Sequence, residues 1–363
     1  MTLTDWGLYA LLFIPVLATC MPFLTHTHWT VRVFDFPRVQ IAFLALLALL
    51  LAPLLVPGGH PWLLALVMVL NLVCLALQVW EISAYTPLMK PQVVAYNGPH
   101  DGRSISLMAS NVLTPNRRAD KLLALVEKWQ PDVLLTLETD KWWEEQLSPL
   151  EKSYPYTVKV PLDNLYGMHL YSRLPLRDIE IRHWVQEDIP SIHGEVQLRS
   201  GDWIELYCLH PMPPTPTESE TSTNRDAELL LVGQEISASN RPVMVFGDLN
   251  DVAWSSTSRL FQKTSGLVDP RVGRGLYSTF HAKYPLLRWP LDHIFHSGDF
   301  MMREVRVLPG INSDHFPIYG SFQYHPAAEH LNDTPEADAD DHEKAQEKID
   351  DADPEKKVIR EKY

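Results

Sequence analysis

Hydrophobic residues follow two regimes along this chain. In the first regime they run unbroken: WGLYALLFIPVLATCMPFL at 6–24, VQIAFLALLALLLAPLLV at 39–56 and PWLLALVMVLNLVCLALQVW at 61–80. Each run is uncharged and, as helix, about 27–30 Å long, which matches a hydrocarbon core. None shows the polar face of a helix packed in a soluble core. They predict three transmembrane helices that anchor the chain in a lipid bilayer, with residues 1–90 as the membrane part. PGGHP at 57–61 predicts a tight connection, which makes the second and third runs a hairpin. No Lys or Arg precedes the first run, so the basic n-region of a signal peptide is missing. LATC at 17–20 departs from a lipoprotein cleavage box at Thr19.

After a linker at 91–103, the pattern shortens. SISLMASNV, PDVLLTLET, HLYSRLPL, EVQLR, WIELYCL, RPVMVFGDLND, LDHIFHS, MREVRVLP and PIYGSFQ read as strands. NRRADKLLALVEKWQ reads as a helix with Leu122, Leu123 and Val126 on one face. TNRDAELLLVGQEISAS reads as another, with Leu229, Leu230 and Val232 toward a core. Strands outnumber helices, and several are consecutive. This argues for packed sheets with helices outside, not a parallel doubly wound sheet. The fold class is therefore α/β in the α+β sense, with one domain at 104–323.

Charge changes the picture at the far end. The chain carries a net charge of -14, much of it after Pro326. That stretch has almost no large apolar residues, so residues 324–363 predict an acidic, disordered or loosely helical tail, with EKAQEKIDD suited to a solvated helix. An acidic chain makes no broad electrostatic claim on nucleic acid. Arg32 and Arg38 lie in the first loop and Lys90 and Arg103 after the third run, while the other loop and the N-terminal end carry no Lys or Arg. This bias places the large domain in the cytoplasm. Cys20, Cys74 and Cys208 form no cluster, so neither a disulfide framework nor a zinc site is indicated.

Polar residues stand where strands end. They are Asn111 in MASNVL, Glu138 in LLTLETD, His210 in YCLHPMPP, Asp248 and Asn250 in VFGDLND, Asp292 in WPLDHIF, and Asp314 with His315 in INSDHF. Singly, each is an ordinary turn residue. Together they hold the parts of metal-assisted phosphoester hydrolysis: hard oxygen ligands for Mg2+ or Mn2+, groups that orient water, and imidazoles that move protons.

These motifs, GDLN with a following Asp and SDHFP above all, resemble the endonuclease/exonuclease/phosphatase superfamily over about Ser104 to Phe322, in the family's own order. Membrane-anchored bacterial members form a similar sub-group, which implies an integral protein of a bacterial inner membrane. The resemblance implies a four-layer sandwich of two mainly antiparallel sheets flanked by helices. By position, Glu138 matches the main metal-ligating acid, Asn111 the asparagine beside it, and Asp314 the late acidic ligand. Asp248 and Asn250 match the pair that orients the attacking water and the phosphate. His315 matches the histidine near the scissile phosphate, and Asp292 the acid that holds its far nitrogen. His210 matches a position that is His in DNase-like members and Tyr in abasic endonucleases, and the resemblance implies a catalytic proton donor to the leaving oxygen; which of His210 and His315 is acid and which is base stays open. Many members carry Arg two residues before the Asp matched by Asp292; here Pro290 stands there and the nearest arginine is Arg288. YSTFH at 277–281 resembles the family's Thr-aromatic segment near the substrate, or is an ordinary strand start.

Three substrate readings follow. A nuclease would use Arg117, Arg118, Arg271, Arg274, Lys283 and Arg288 with Tyr277, Phe280 and Trp289 as a phosphate track. A phospholipid- or sphingomyelin-type phosphodiesterase or phosphatase would act at the bilayer, with Trp142 and Trp143 as an interfacial anchor or as packing. An inactive membrane scaffold is the third. Nuclease-type phosphodiester hydrolysis is the leading expectation.

Overall fold

A computed structural model of the chain describes residues 3–56, 60–352 and 358–363. The N-terminal part comprises α1 (Leu3–Leu12), α2 (Ile14–Cys20), α3 (Trp29–Arg32), α4 (Arg38–Leu55) and α5 (Pro61–Ser83). Thr4–Phe23, α4 and α5 are long and apolar enough to cross a membrane, as the unbroken runs predict. The PGG part of the predicted connection lies outside the described residues.

The large domain continues with β1 (Ser104–Asn111), α6 (Ala119–Trp129), β2 (Val133–Leu137), α7 (Lys141–Leu147), β3 (Tyr156–Val160), β4 (Met168–Ser172), β5 (Leu176–His183), β6 (Ser191–Gln197), β7 (Trp203–Leu209) and α8 (Thr223–Ser237). Next come β8 (Val243–Asp248), α9 (Ser256–Ser265), β9 (Asp292–His296), β10 (Phe300–Val307), β11 (Ile318–Tyr324), α10 (Ala339–Asp350) and β12 (Ile359–Lys362). Two six-stranded sheets form, in the orders β10-β11-β1-β2-β4-β3 and β12-β5-β6-β7-β8-β9. Neighbours are antiparallel except β1 with β2 and β7 with β8, which are parallel.

The period-two pattern explains the layers. In β1, Ile105, Leu107 and Ala109 enter the core between the sheets, where they meet Leu206, Cys208 and Phe246 of the second sheet. Met108 points the other way, against Leu122 and Val126 of α6. In β8, Met244 and Phe246 face the inner core, and Val243 and Val245 face α8. Strands buried on both faces read as near-continuous apolar runs, and their first polar residues mark the end of the sandwich.

Two expectations change, and one left open is decided. The linker is not free: Val93 is buried in the inner core, and Tyr96 N donates to Met302 O at 2.8 Å on the edge of β10. The tail is packed where it is described. Ala345 and Ile349, one turn apart on α10, bury against Leu230 and Leu260, and Lys348 pairs with Asp226 at 2.7 Å. β12 adds an antiparallel edge to β5. Trp142 and Trp143 belong to packing: Trp143 is buried beside Leu147, and the Arg117 guanidinium covers Trp142 at 4.6 Å.

The N-terminal part is docked on the domain. Trp29 N donates to Glu220 O at 2.9 Å, Trp254 Nε1 to Asp35 O at 2.7 Å, and the Tyr85 hydroxyl to Ala253 O at 2.8 Å. The segment between the first two long apolar helices therefore packs on the domain.

Candidate active site

All eight predicted side chains converge at one end of the sandwich. Asn111 closes β1, and its Nδ2 donates to Glu138 Oε1 at 2.8 Å and to Asp248 Oδ2 at 3.2 Å. Glu138 follows β2 in a left-handed backbone conformation, φ 60°, which turns the carboxylate off the strand. Asn250 has φ 51°; its N–H donates to Asp248 Oδ1 at 3.0 Å and its Nδ2 to Pro211 O at 2.9 Å. Gly247 in GDLN is required by a close approach: a Cβ there would stand 2.1 Å from Leu209 O on the neighbouring parallel strand.

His315 is the hub. Its Nδ1 lies 2.8 Å from Asp292 Oδ2, and its Nε2 lies 3.4 Å from Asp248 Oδ2. Burial disfavours charge on this ring, but the carboxylates of Asp248 and Asp292 outweigh it and push the pKa up to about 10. His210 is the opposite case. Burial pushes it down to about 4, against the attraction of Asp248, whose Oδ2 is 3.9 Å from Nε2. Its ring packs on Tyr166, centroids 5.2 Å apart, and its Nδ1 is buried without a partner. The two rings thus face the same oxygen, Asp248 Oδ2, with their pKa values pushed in opposite directions.

Glu138 bears on metal binding. Burial pushes its carboxyl up to about 7, opposed by the Asn111 hydrogen bond and the His315 charge, and reinforced by the negative Asp314. Crowded acids at the mouth of a cleft are the environment that a divalent cation relieves, so these residues fit a Mg2+- or Mn2+-type ion. The oxygens and nitrogen of Asp248, Asp292 and His315 also lie within 4.8 Å of one another. A ring charged between two acids has no lone pair to offer, so this trio is an ion-paired group first. Asn111, expected among the metal ligands, accepts from Leu113 N at 3.0 Å through one lone pair of Oδ1, while its Nδ2 holds Glu138 Oε1 at 2.8 Å.

The cleft has a volume of 240 Å³. Glu138, His210, Asp248, Asn250, Asp314 and His315 face it; Asn111 and Asp292 stand behind. The sequence carried no signal for Phe36, Leu165, Tyr166, Pro213, Pro214 and Glu218, which also line it, because they arrive from loops. YSTFH is at the site: the Thr279 hydroxyl accepts from Asp292 N at 3.2 Å, and Phe280 packs on His315 with centroids 4.9 Å apart. Arg288 does not take the expected phosphate position. It donates to Ala282 O at 3.3 Å and lies over Phe316.

A family model described as "Endonuclease/Exonuclease/phosphatase family" matches residues 108–315. Solved structures agree on the fold. D. rerio TDP2, complexed with a single-strand DNA product, is 19% identical with a TM-score of 0.52, covering 61% of this chain and 99% of that one. An endonuclease/exonuclease/phosphatase from Beutenbergia cavernae is 16% identical with a TM-score of 0.50, covering 61% of this chain and 72% of its own. One from Bacteroides vulgatus is 15% identical with a TM-score of 0.50, covering 61% and 99%. No curated protein matches by sequence.

Proposed function

The chain belongs to the endonuclease/exonuclease/phosphatase family, whose members hydrolyse phosphoesters, and from that premise we propose that it is a metal-dependent phosphoester hydrolase anchored in a membrane. The observation that carries the proposal is that His210 and His315 both face Asp248 Oδ2, at 3.9 and 3.4 Å, in a cleft that Glu138 and Asp314 also line.

Water attacks phosphorus in line with the leaving oxygen. Asp248, fixed by the Asn250 N–H and the Asn111 amide, holds that water and accepts its proton as the new P–O bond forms. His315, charged and backed by Asp292, gives a proton to the leaving oxygen as the old P–O bond breaks. Asp248 Oδ2 lies 3.4 Å from His315 Nε2, so the proton returns along that path to reset the site. His210, neutral and held against Tyr166, gives polar contact without adding charge. Glu138 and Asp314 would hold the divalent cation, with Asn111 orienting Glu138; when bound, it neutralises charge on the phosphoryl oxygens.

A nuclease of this class needs a cationic track. The arginines expected to form one are engaged elsewhere. Arg117 pairs with Asp140 at 2.8 Å, Arg118 with Asp120 at 2.8 Å, and Arg271 with Asp269 at 2.8 Å inside the core. The domain shares a side with the loop holding Arg32 and Arg38, which supports a cytoplasmic domain in a bacterial inner membrane.

The test is hydrolysis of bis-p-nitrophenyl phosphate by the full chain in detergent, in 18O-labelled water. Label appearing in the phosphoryl product, lost with chelator and with His315→Ala, supports the reading. Turnover indifferent to both removes it.

A further inference from the structure

We infer that the cleft takes the phosphoester head group of a lipid held in the bilayer, and that the 284–287 loop tip dips into that bilayer beside it; this rests on the phosphoester reading above. Four observations meet here. First, a wall of the cleft comes from the membrane part itself. Phe36 lines the cleft and packs edge-to-face on Trp289 with centroids 5.8 Å apart. It precedes the first residue of α4 by two positions, so this wall of the cleft stands within about 7 Å of chain from a spanning helix.

Second, the loop after Phe280 is tied to the same level. Gln40 Nε2, in the first turn of α4, donates to Leu286 O at 2.8 Å. Around that anchor, Tyr284, Leu286 and Leu287 are 57%, 83% and 46% exposed. Large apolar side chains clustered on one tip need a partner. Leu88 and Met89, just past α5, add apolar exposure at the same end of the helices. A bilayer is the occupant that this position supplies, because α4 enters it there and α5 leaves it there.

Third, the cleft is built for an apolar neighbour. Leu165, Pro213, Pro214, Phe280 and Leu291 line it with Phe36, and no Lys or Arg is among the described residues that do. A polyanion finds no cation to replace its counterions there. Fourth, the docking is firm. Trp254 Nε1 reaches Asp35 O at 2.7 Å, and Arg259 pairs with Glu81 at the end of α5 at 2.5 Å. The cleft is therefore held at the membrane surface rather than tethered at a distance.

Two measurements on the full chain in vesicles of phosphatidylethanolamine, phosphatidylglycerol and phosphatidic acid test this. A nitroxide on Leu286→Cys, with Cys20→Ser, should be relaxed by lipid-soluble oxygen and shielded from a water-soluble nickel chelate; the reverse pattern overturns the bilayer contact. Water-soluble phosphate or phosphorylated head group should be released from the vesicles. Leu286→Asp with Leu287→Asp should lower that release about tenfold relative to bis-p-nitrophenyl phosphate hydrolysis. A single-stranded oligonucleotide cleaved in preference to every vesicle lipid, or a ratio unmoved by the double variant, overturns the substrate inference alone. Failure on bis-p-nitrophenyl phosphate as well removes the phosphoester reading and this inference with it.

Discussion

Replacing Asp292 with asparagine removes one negative charge behind His315 and leaves the side chain's size unchanged. Asp292 is fully buried, and its Oδ2 meets His315 Nδ1 at 2.8 Å. A charge-assisted hydrogen bond between buried groups contributes about 1.5–3 kcal/mol, and 1.36 kcal/mol is one pH unit. The His315 pKa should fall from about 10 by roughly 1–2 pH units, and stay above its ordinary value because Asp248 remains 3.4 Å from Nε2. The folded value lies above the unfolded one, near 6.5. Stability from this group is thus complete below about pH 6.5 and fades as pH rises through the folded pKa. Asp292→Asn should therefore cost about 2 kcal/mol at pH 6, and the two proteins should converge toward pH 10. Denaturant midpoints of the full chain in detergent at both pH values, with divalent cations chelated, read the difference. Imidazole proton titration, assigned with His315→Ala, reads the pKa directly. An equal loss at both pH values would mean a packing defect. A wild-type His315 that titrates near 6.5 would refute the charge assignment and the proton-donor role with it. In the metal-loaded enzyme, the same variant should lower kcat by about 10²-fold.

Other perturbations read other parts of the fold. Arg225 is buried, pairs with Asp226 at 2.7 Å and Asp251 at 3.4 Å, and donates to Asn250 O at 2.8 Å. Arg225→Met removes the cation shared by two buried acids, leaving Asp226 with Lys348 and Asp251 with hydroxyl donors alone, and should cost about 3 kcal/mol, lowering Tm by several degrees in a thermal scan. Burial pushes Glu228 up to about 8, and its Oε1 has no partner. Its folded pKa is above the unfolded one, so stability should fall as pH rises from about 4.5 to about 8. Glu228→Gln should abolish that fall, which Tm at pH 5 and pH 9 will show. Ile349→Asp should undock α10 from Leu230 and Leu260 and make residues 339–352 cleave about tenfold faster in limited proteolysis, with the sandwich intact.

Much of the site was legible because strand ends are local. A buried strand reads as an apolar run, so the polar residue that ends it, such as Asn111 or Asp248, announces the edge of the core. The three long apolar helices were legible for a similar reason: an unbroken apolar run long enough to cross a membrane shows in the sequence whatever it packs on. Contacts between distant segments were not legible. Nothing in the phenylalanine of DFP indicates that Phe36 meets Trp289 across the chain and walls the cleft. The acidic composition hid the docking of α10, not the helix itself, because only Ala345 and Ile349 reach the core, and two apolar residues among acids read as solvent-facing. The expected arginine track was a list of residue types; partners such as Asp140 and Asp269 decide where those charges go. α9 carried a signal at both ends, a Ser255 cap on Ser258 N and Gly266 at φ 69°, though its mixed interior obscured its buried Leu260 and Phe261.

The account rests on Glu138 as the cation-holding carboxylate of a phosphoester hydrolase. The direct measurement is the rate of bis-p-nitrophenyl phosphate hydrolysis against Mg2+ and Mn2+ concentration, for the full chain and for Glu138→Gln. The account predicts saturable metal dependence in the wild type and, in the variant, a rate lower by about 10²-fold or more with half-saturation moved to higher metal. A variant that keeps both the rate and the half-saturating concentration would contradict it.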